Sequence, residues 1–332
     1  MFSFNFFNKK TKHDNKTSFK KEFYCLGTIN RLTAYGENCE NAVMEAEQRL
    51  AEIDDKMSVF KDYSELSRIN KSAGKNYEKV SKDTYFVIKS SIEYCNLLKG
   101  TFDPTIKPVV RLWNVGKENF RIPRQSEIDN TLKLVNYKDI LFDDENCSIM
   151  LKNKNQNVDA GGIAKGYAAD EVKRIFKRNE ITRGIIDLGG NIFALGGKDD
   201  ESPWSIGLQD PFSKRGDYVG IILVRNKSLV TSGNYERYTI AKGKRYHHII
   251  DPRTGYPSES GLMSATIVSN LSIDGDGFST GIFILGLKEG MKLINSTYGI
   301  DGIFITEDKE IYVSSGIKDK FILTNKEFII KE

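Results

Sequence analysis

The stretch DAGGIAKGYAADEVKRIFKRNEITRGIIDLGG, residues 159–190, decides how this chain is read. Its glycine-rich opening, Asp159 to Tyr167, turns into a run with helical period over Ile163–Asn179. That run gives way to an extended segment, Gly184–Leu188, ending in Gly189-Gly190. Working back toward the start, Thr28–Tyr35 is extended, and Val43, Ala46, Leu50, Ile53 and Met57 form one apolar stripe on a polar helix. A second helix starts at Ser81 as N-cap and stops at Gly100, carrying Tyr85, Ile88, Ile92 and Cys95 on one face, and Ser126–Val135 is a third. Working forward, short strands fall near Trp204–Leu208, Tyr218–Val224 and Tyr238–Ile250, the last with a hairpin turn at Lys242-Gly243-Lys244. Ala265–Ser269 is a strand, Asp276–Leu285 a short buried helix, and Ile303–Thr306 with Ile311–Ser314 a closing β pair. The expected fold is α+β: largely antiparallel sheets with packed helices, in one two-lobed unit rather than two independent domains.

Composition narrows the function classes. Hydrophobic residues are 39% and charged residues 28% of 332, the balance of a globular protein with a real core. A net charge of +4 over this length gives no electrostatic footprint for nucleic acid. Cys25, Cys39, Cys95 and Cys147 are too scattered for a disulfide scaffold and too far from histidines for zinc, so they read as reduced structural thiols. No stretch approaches the about 18 apolar residues of a membrane span, so stable membrane insertion is not expected. Residues 1–20 read as a disordered basic lead-in, and 21–332 as the folded unit. The apolar start precedes the lysines, the reverse of a secretory signal, which predicts a cytoplasmic protein.

Glycine is unevenly spread: five of the 28 precede residue 160 and 23 lie between Gly161 and Gly316, so the second half is where backbone atoms can approach a ligand. At Asp159–Tyr167 the free amides of a helix start, together with Lys165, suit a phosphate, although the segment also reads as an ordinary strand-to-helix turn. Asp276 and Thr280 stand at i and i+4, so on a helix both oxygens project from one face and fit a hard cation such as Mg2+; the alternative is a helix start capped by Asp276. His248 stands out by scarcity, one of three histidines, and its neighbour His247 faces the other way on a strand. Thr101-Phe102-Asp103-Pro104-Thr105 and Thr231-Ser232-Gly233-Asn234-Tyr235 are polar turns with aromatic neighbours.

In order, these fragments resemble the ApbE-type FAD:protein FMN transferases. The matching run begins at Leu26-Gly27-Thr28 and passes Met57-Ser58-Val59-Phe60, Ser64-Glu65-Leu66 with Asn70, and Phe102-Asp103-Pro104-Thr105 with Pro108 and Leu112-Trp113. It continues through Asp159–Tyr167, Asp187-Leu188-Gly189-Gly190 and Thr231-Ser232-Gly233. It ends with His248-Ile249-Ile250-Asp251-Pro252, Thr254-Gly255 and Asp276–Thr280, covering roughly residues 25 to 290.

The resemblance implies a Mg2+-dependent enzyme with FAD as substrate. It would transfer FMN to a Thr or Ser hydroxyl of an acceptor flavoprotein, a redox subunit or reductase, and release AMP. By the same resemblance, Asp276, Ser279, Thr280 and a backbone carbonyl near Gly162 match the metal positions. Leu26, Phe60, Thr101, Phe102, Asp103, Asp159, Lys165, Ser232, His248 and Ile250 match FAD-contacting ones. His248 and Asp276 are the expected catalytic residues, His248 deprotonating or orienting the acceptor hydroxyl. Leu26 stands where the family has methionine. Gly275, Gly277 and Gly281 stand where alanines are common, which keeps the ligands but predicts a looser helix. Many relatives carry a lipoprotein signal that this start lacks; the expectation is a cytoplasmic enzyme, the alternative an exported or membrane-anchored one with an incomplete N-terminus. Two other readings use the same residues: a Mg2+-dependent FAD pyrophosphatase giving FMN and AMP, and a non-catalytic flavin-binding module.

Overall fold

The computed structural model describes residues 9–13 and 16–331. The chain opens with strands β1 (Lys9–His13), β2 (Lys16–Cys25) and β3 (Thr28–Tyr35), then helices α1 (Cys39–Met57) and α2 (Glu65–Lys71). Strand β4 (Glu78–Lys79) precedes helices α3 (Lys82–Leu97), α4 (Lys107–Trp113) and α5 (Gln125–Leu132) and the hairpin β5 (Ile140–Asp143), β6 (Ser148–Leu151). Helix α6 (Ala164–Arg178) leads to β7 (Arg183–Leu188), β8 (Asn191–Leu195), β9 (Trp204–Gln209), β10 (Tyr218–Val224) and β11 (Lys227–Gly233). The ribbon β12 (Tyr238–Ala241), β13 (Lys244–His247) follows, then β14 (Leu262–Ser269) and α7 (Ser272–Ser296). Strands β15 (Ile300–Thr306), β16 (Glu310–Val313), β17 (Phe321–Leu323) and β18 (Ile329–Lys331) complete the chain.

Ten strands form one sheet in the order β1-β2-β3-β7-β8-β11-β14-β15-β16-β18, antiparallel throughout except for β16 with β18. Helices α1, α3, α6 and α7 cover one face through a core that includes Leu50, Ile53, Ile88, Phe176, Ile267, Phe283 and Phe304. The small sheet β17-β10-β9 covers part of the other face, packing Val219, Ile222 and Phe321 against Leu229, Val268 and Ile303. A third cluster joins α4 and α5 to the segment after β13 through Val109, Trp113, Ile128 and Ile250, with the Trp113 and Tyr246 rings stacked at 5.6 Å. The expected α+β class, its antiparallel sheets and its packed helices are all present. The strand between the two larger cores is β14, and every residue of it is buried.

Three expectations need correction. The basic lead-in is not disordered where it is described: Lys9–His13 and Lys16–Cys25 are strands, with residues 1–8 and 14–15 outside the described residues. The reason is a period of two, which puts Phe19, Phe23 and Cys25 into the core and lets Lys21 pair with Glu47 of α1 at 2.5 Å. The helix expected over Asp276–Leu285 begins four residues earlier and continues past a break at Gly286 (φ 78°) to Ser296. The pair β15–β16 is not the last, because β18 adds beside β16.

The glycines expected to loosen α7 stand at its closest contacts. A Cβ on Gly277 would lie 2.6 Å from the Tyr94 ring, one on Gly281 2.6 Å from Leu98, and one on Gly275 2.8 Å from Val230. They are missing side chains where α3 and β11 press closest. Tyr94 cannot easily yield, since it is buried and its hydroxyl donates to Asp274 at 2.7 Å. Helix propensity alone makes Gly277→Ala stabilising by up to ~1 kcal/mol. The collision instead predicts a loss of ~1–3 kcal/mol, read as a lower denaturant midpoint at unchanged slope. A higher midpoint would show that the helices have room to spare.

Candidate functional site

The site is built where α6 and α7 start. Ile163, the N-cap of α6, supplies no side-chain bond, so the first amides of the helix need partners from elsewhere. The Gly166 N–H donates to Asp276 Oδ2 at 2.9 Å, reaching across from the second turn of α7. Helix α7 also lacks a capping side chain of its own, and Asp170 of α6 fills that role. The N–H groups of Ser272 and Ile273 donate to its two carboxylate oxygens at 3.0 and 2.9 Å. Each helix therefore caps the other in antiparallel register, 166 against 276 and 170 against 272. The approach is so close that a Cβ on Gly166 would lie 2.4 Å from the Ser272 carbonyl oxygen. Asp276 does serve as a cap, but for α6 rather than for its own helix.

The expected metal residues are linked here by their hydrogen bonds. Asp276 is only 4% exposed, and its Oδ1 lies 3.7 Å from Lys165 Nζ, which also donates to the Gly161 carbonyl at 3.3 Å. In a longer α6 the Gly166 N–H would bond the Gly162 carbonyl; here it goes to Asp276 instead. The Ser232 hydroxyl donates to Ser279 Oγ at 3.0 Å and lies 3.2 Å from Thr280 Oγ1, so β11 brings Ser232 to the expected metal residues. Ser279 in turn donates to the Asp276 carbonyl at 3.1 Å. Among the described residues no three His, Cys, Asp or Glu side chains cluster. A cation held here would depend on one carboxylate plus hydroxyl and carbonyl oxygens, a donor set that fits Mg2+ or Mn2+.

The two histidines are separated by their hydrogen bonds. His247 is buried, its Nε2 facing the Ser258 carbonyl at 2.8 Å while its Nδ1 accepts from the Ile249 N–H at 3.3 Å, so both nitrogens are engaged. His248 Nδ1 faces the Arg237 carbonyl at 3.1 Å. A carbonyl only accepts, so Nδ1 carries the proton and Nε2 is left as a bare lone pair. Burial, with the positive charge of Arg237, pushes the His248 imidazole down to about 4, which keeps it neutral at pH 7.

The expected flavin-contact residues divide into two groups. Phe60, 81% exposed, has Lys107 Nζ 5.1 Å from its ring centroid, and that ammonium also pairs with Asp159. Lys107 thereby joins Phe60 and Asp159, the latter further held by the Gly161 N–H at 2.9 Å. Leu26 sits in the β2–β3 turn with φ 53° and packs against the main core. Ile250 is buried in the third cluster.

The side chains of Thr101, Phe102 and Asp103 turn inward. Thr101 Oγ1 donates to the Leu98 and Gly281 carbonyls, and Phe102 packs where a Gly162 side chain would stand. Asp103 accepts from the Thr105 N–H and hydroxyl and from the Tyr137 N–H. These bonds engage the three side chains within the protein, so what the turn offers a ligand is its main chain. Sequence reasoning missed Asp170, Lys107 and Arg237. Only for Arg237, eleven residues before His248 in a hairpin, was there a local signal.

Comparison with known proteins bears on the fold and the family. The model of the ApbE family matches residues 26–304. The FAD:protein FMN transferase of Klebsiella pneumoniae (strain 342) is 34% identical over 82% of this chain and 85% of its own length. The ApbE protein of Thermotoga maritima superposes with a TM-score of 0.84 at 32% identity, covering 91% of this chain and 99% of that one. The flavin transferase ApbE of Vibrio cholerae gives 0.83 at 26%, covering 92% and 99%.

The double duty of Asp276 can be separated experimentally. Asp276→Asn keeps an oxygen for the Gly166 N–H, so stability changes by less than ~1 kcal/mol. It removes the charge, so Mg2+ or Mn2+ affinity in a calorimetric titration falls by about tenfold or more. Asp276→Ala loses the cap as well and costs a further ~1–2 kcal/mol in thermal melting. Undiminished cation binding by the Asn variant would remove Asp276 from the cation site.

Proposed function

The chain belongs to the ApbE family, and from that premise we propose that it is an FAD:protein FMN transferase. In the proposed reaction a Thr or Ser hydroxyl of an acceptor flavoprotein attacks the FMN-side phosphorus of FAD. A P–O bond forms, the pyrophosphate P–O bond breaks, AMP leaves, and the hydroxyl proton goes to His248 Nε2. The observation that carries this reading is a buried carboxylate at two helix starts with Lys165 beside it, the same lysine whose charge reaches the neutral His248.

The residues divide the work. Asp276, Thr280, Ser279 and the Gly162 carbonyl would hold a Mg2+-type cation. Bound there, such an ion supplies charge neutralisation at the pyrophosphate. Lys165 places a second positive charge beside Asp276, and the start of α6 adds its dipole. Arg237 holds the His248 ring through its carbonyl and so fixes which nitrogen can take the proton. Phe60, with Lys107 and Asp159 behind it, offers an open aromatic face to a planar ring.

The direct test mixes the protein with FAD, Mg2+ and proteins from its own source, with a parallel EDTA sample. The expected outcome is one protein gaining the mass of one FMN and fluorescing in a denaturing gel, and no adduct with EDTA. FMN and AMP without an adduct would instead identify a pyrophosphatase, and neither product would leave a flavin binder. His248→Ala is expected to lower transfer by about 100-fold or more while changing FAD affinity little.

The pH profile follows from the same imidazole. kcat/KM, which reports the free enzyme, stays level from pH 8 through the ordinary histidine value of 6.5 and falls only as pH approaches about 4. Stability falls in the same direction but earlier: between 6.5 and about 4 the unfolded chain binds a proton that folded His248 refuses, so the fold weakens as pH falls through that window. An activity inflection at 6.5 that persists in His248→Ala would assign the titration to another group.

A further inference from the structure

We propose that the free edge of β12 is the docking strand for the acceptor: an extended segment of the acceptor adds alongside Tyr238–Ala241 and brings its hydroxyl residue to His248. This rests on the reading that the acceptor is a protein. In the turn of the ribbon, Lys242 (φ 50°) and Gly243 (φ 75°) are both left-handed, which makes a two-residue hairpin closed by Ala241 and Lys244. Hydrogen-bonded and non-bonded pairs alternate in such a ladder, so Ala241–Lys244 and Thr239–Tyr246 bond inward. The alternation continues past the strands, where the His248 N–H donates to the Arg237 carbonyl at 3.1 Å. Tyr238 and Ile240 therefore turn their N–H and C=O groups away from β13.

Among the described residues no strand takes up those groups, because β12 and β13 form a two-stranded sheet by themselves. Exposed edges are normally blunted by proline, a bulge or an inward charge. The sequence Tyr-Thr-Ile-Ala has none of these, and Ile240 is 65% exposed. The opposite side of the ribbon is not equivalent. Beyond β13 the chain pairs with its own continuation, Ile250 bridging Pro257 and the Ser258 N–H donating to the Ile249 carbonyl at 3.0 Å. The free edge also lies next to the chemistry along the chain: its backbone runs directly into Arg237, whose inward-facing carbonyl holds His248 Nδ1. Strand addition gives main-chain affinity without requiring a deep pocket, which suits a polypeptide substrate whose reacting group is one small hydroxyl.

The test uses the full chain and the protein that gains FMN in the assay above. Ile240→Pro removes an N–H that bonds nothing within the ribbon, and edge strands tolerate proline. KM for the acceptor is expected to rise by about tenfold or more, with KM for FAD unchanged, while Ile240→Ala, which keeps the N–H, shifts acceptor KM by less than about threefold. In the unsubstituted enzyme, saturating acceptor slows amide exchange at Tyr238 and Ile240. An Ile240→Pro enzyme with ordinary acceptor KM overturns the proposal. So does protection that falls elsewhere, an outcome independent of how the variant folds. If the unsubstituted enzyme moves no FMN at all, the transferase reading fails instead.

Discussion

Two carboxylates exchanged between two helices hold this structure in its working form. Asp170 closes the start of α7 and Asp276 closes the start of α6, so neither helix carries its own cap and neither is complete without the other. Much of the remaining geometry follows. The mutual capping fixes the antiparallel register, and the register puts Lys165 beside Asp276. Thr280, one turn further along α7, then meets Ser232 of β11. A carboxylate at a helix start is ordinarily a matter of about 1 kcal/mol. Here the same oxygens also define where a cation and two phosphates could sit, so stability and chemistry share one set of atoms.

Close approach is the second constraint, and it explains a feature of the sequence that misleads when read locally. Gly275, Gly277 and Gly281 would weaken an isolated helix. In the folded chain they are the recesses that receive Val230, Tyr94 and Leu98, while Gly166 lets α6 touch the backbone of α7. The helix keeps helical dihedrals up to Gly286, where a positive φ breaks it. The part before the break belongs to the site, and the part after it packs under β15 and β16.

Much of this was legible in the residues. Ser81 is the N-cap of α3 as its position predicts, and Ile163 and Asn179 bracket α6. Thr28–Tyr35 is a strand to the residue. Local chemistry determines those boundaries, so local reading finds them. Helices α2 and α4, seven residues each, have too few turns to show a period. The alternation Phe19-Lys21-Phe23-Cys25 was visible but masked by the lysines around it. In the site, scarcity and the family resemblance singled out His248 over His247; the physical difference between the two, the carbonyls of Arg237 and Ser258, only the fold supplies. Asp170 and Lys107 act on partners about a hundred and about fifty residues away, and no spacing rule reaches that far.

Strand β14 has a consequence for how the molecule comes apart. Ala265 and Ile267 belong to the helical core, Met263 and Val268 to the core beneath the small sheet, and no residue of the strand meets solvent. Pulling either lobe away would strip one face of β14 and expose apolar surface that the other lobe cannot cover. A strand shared in this way is expected to tie the melting of the two cores into a single transition.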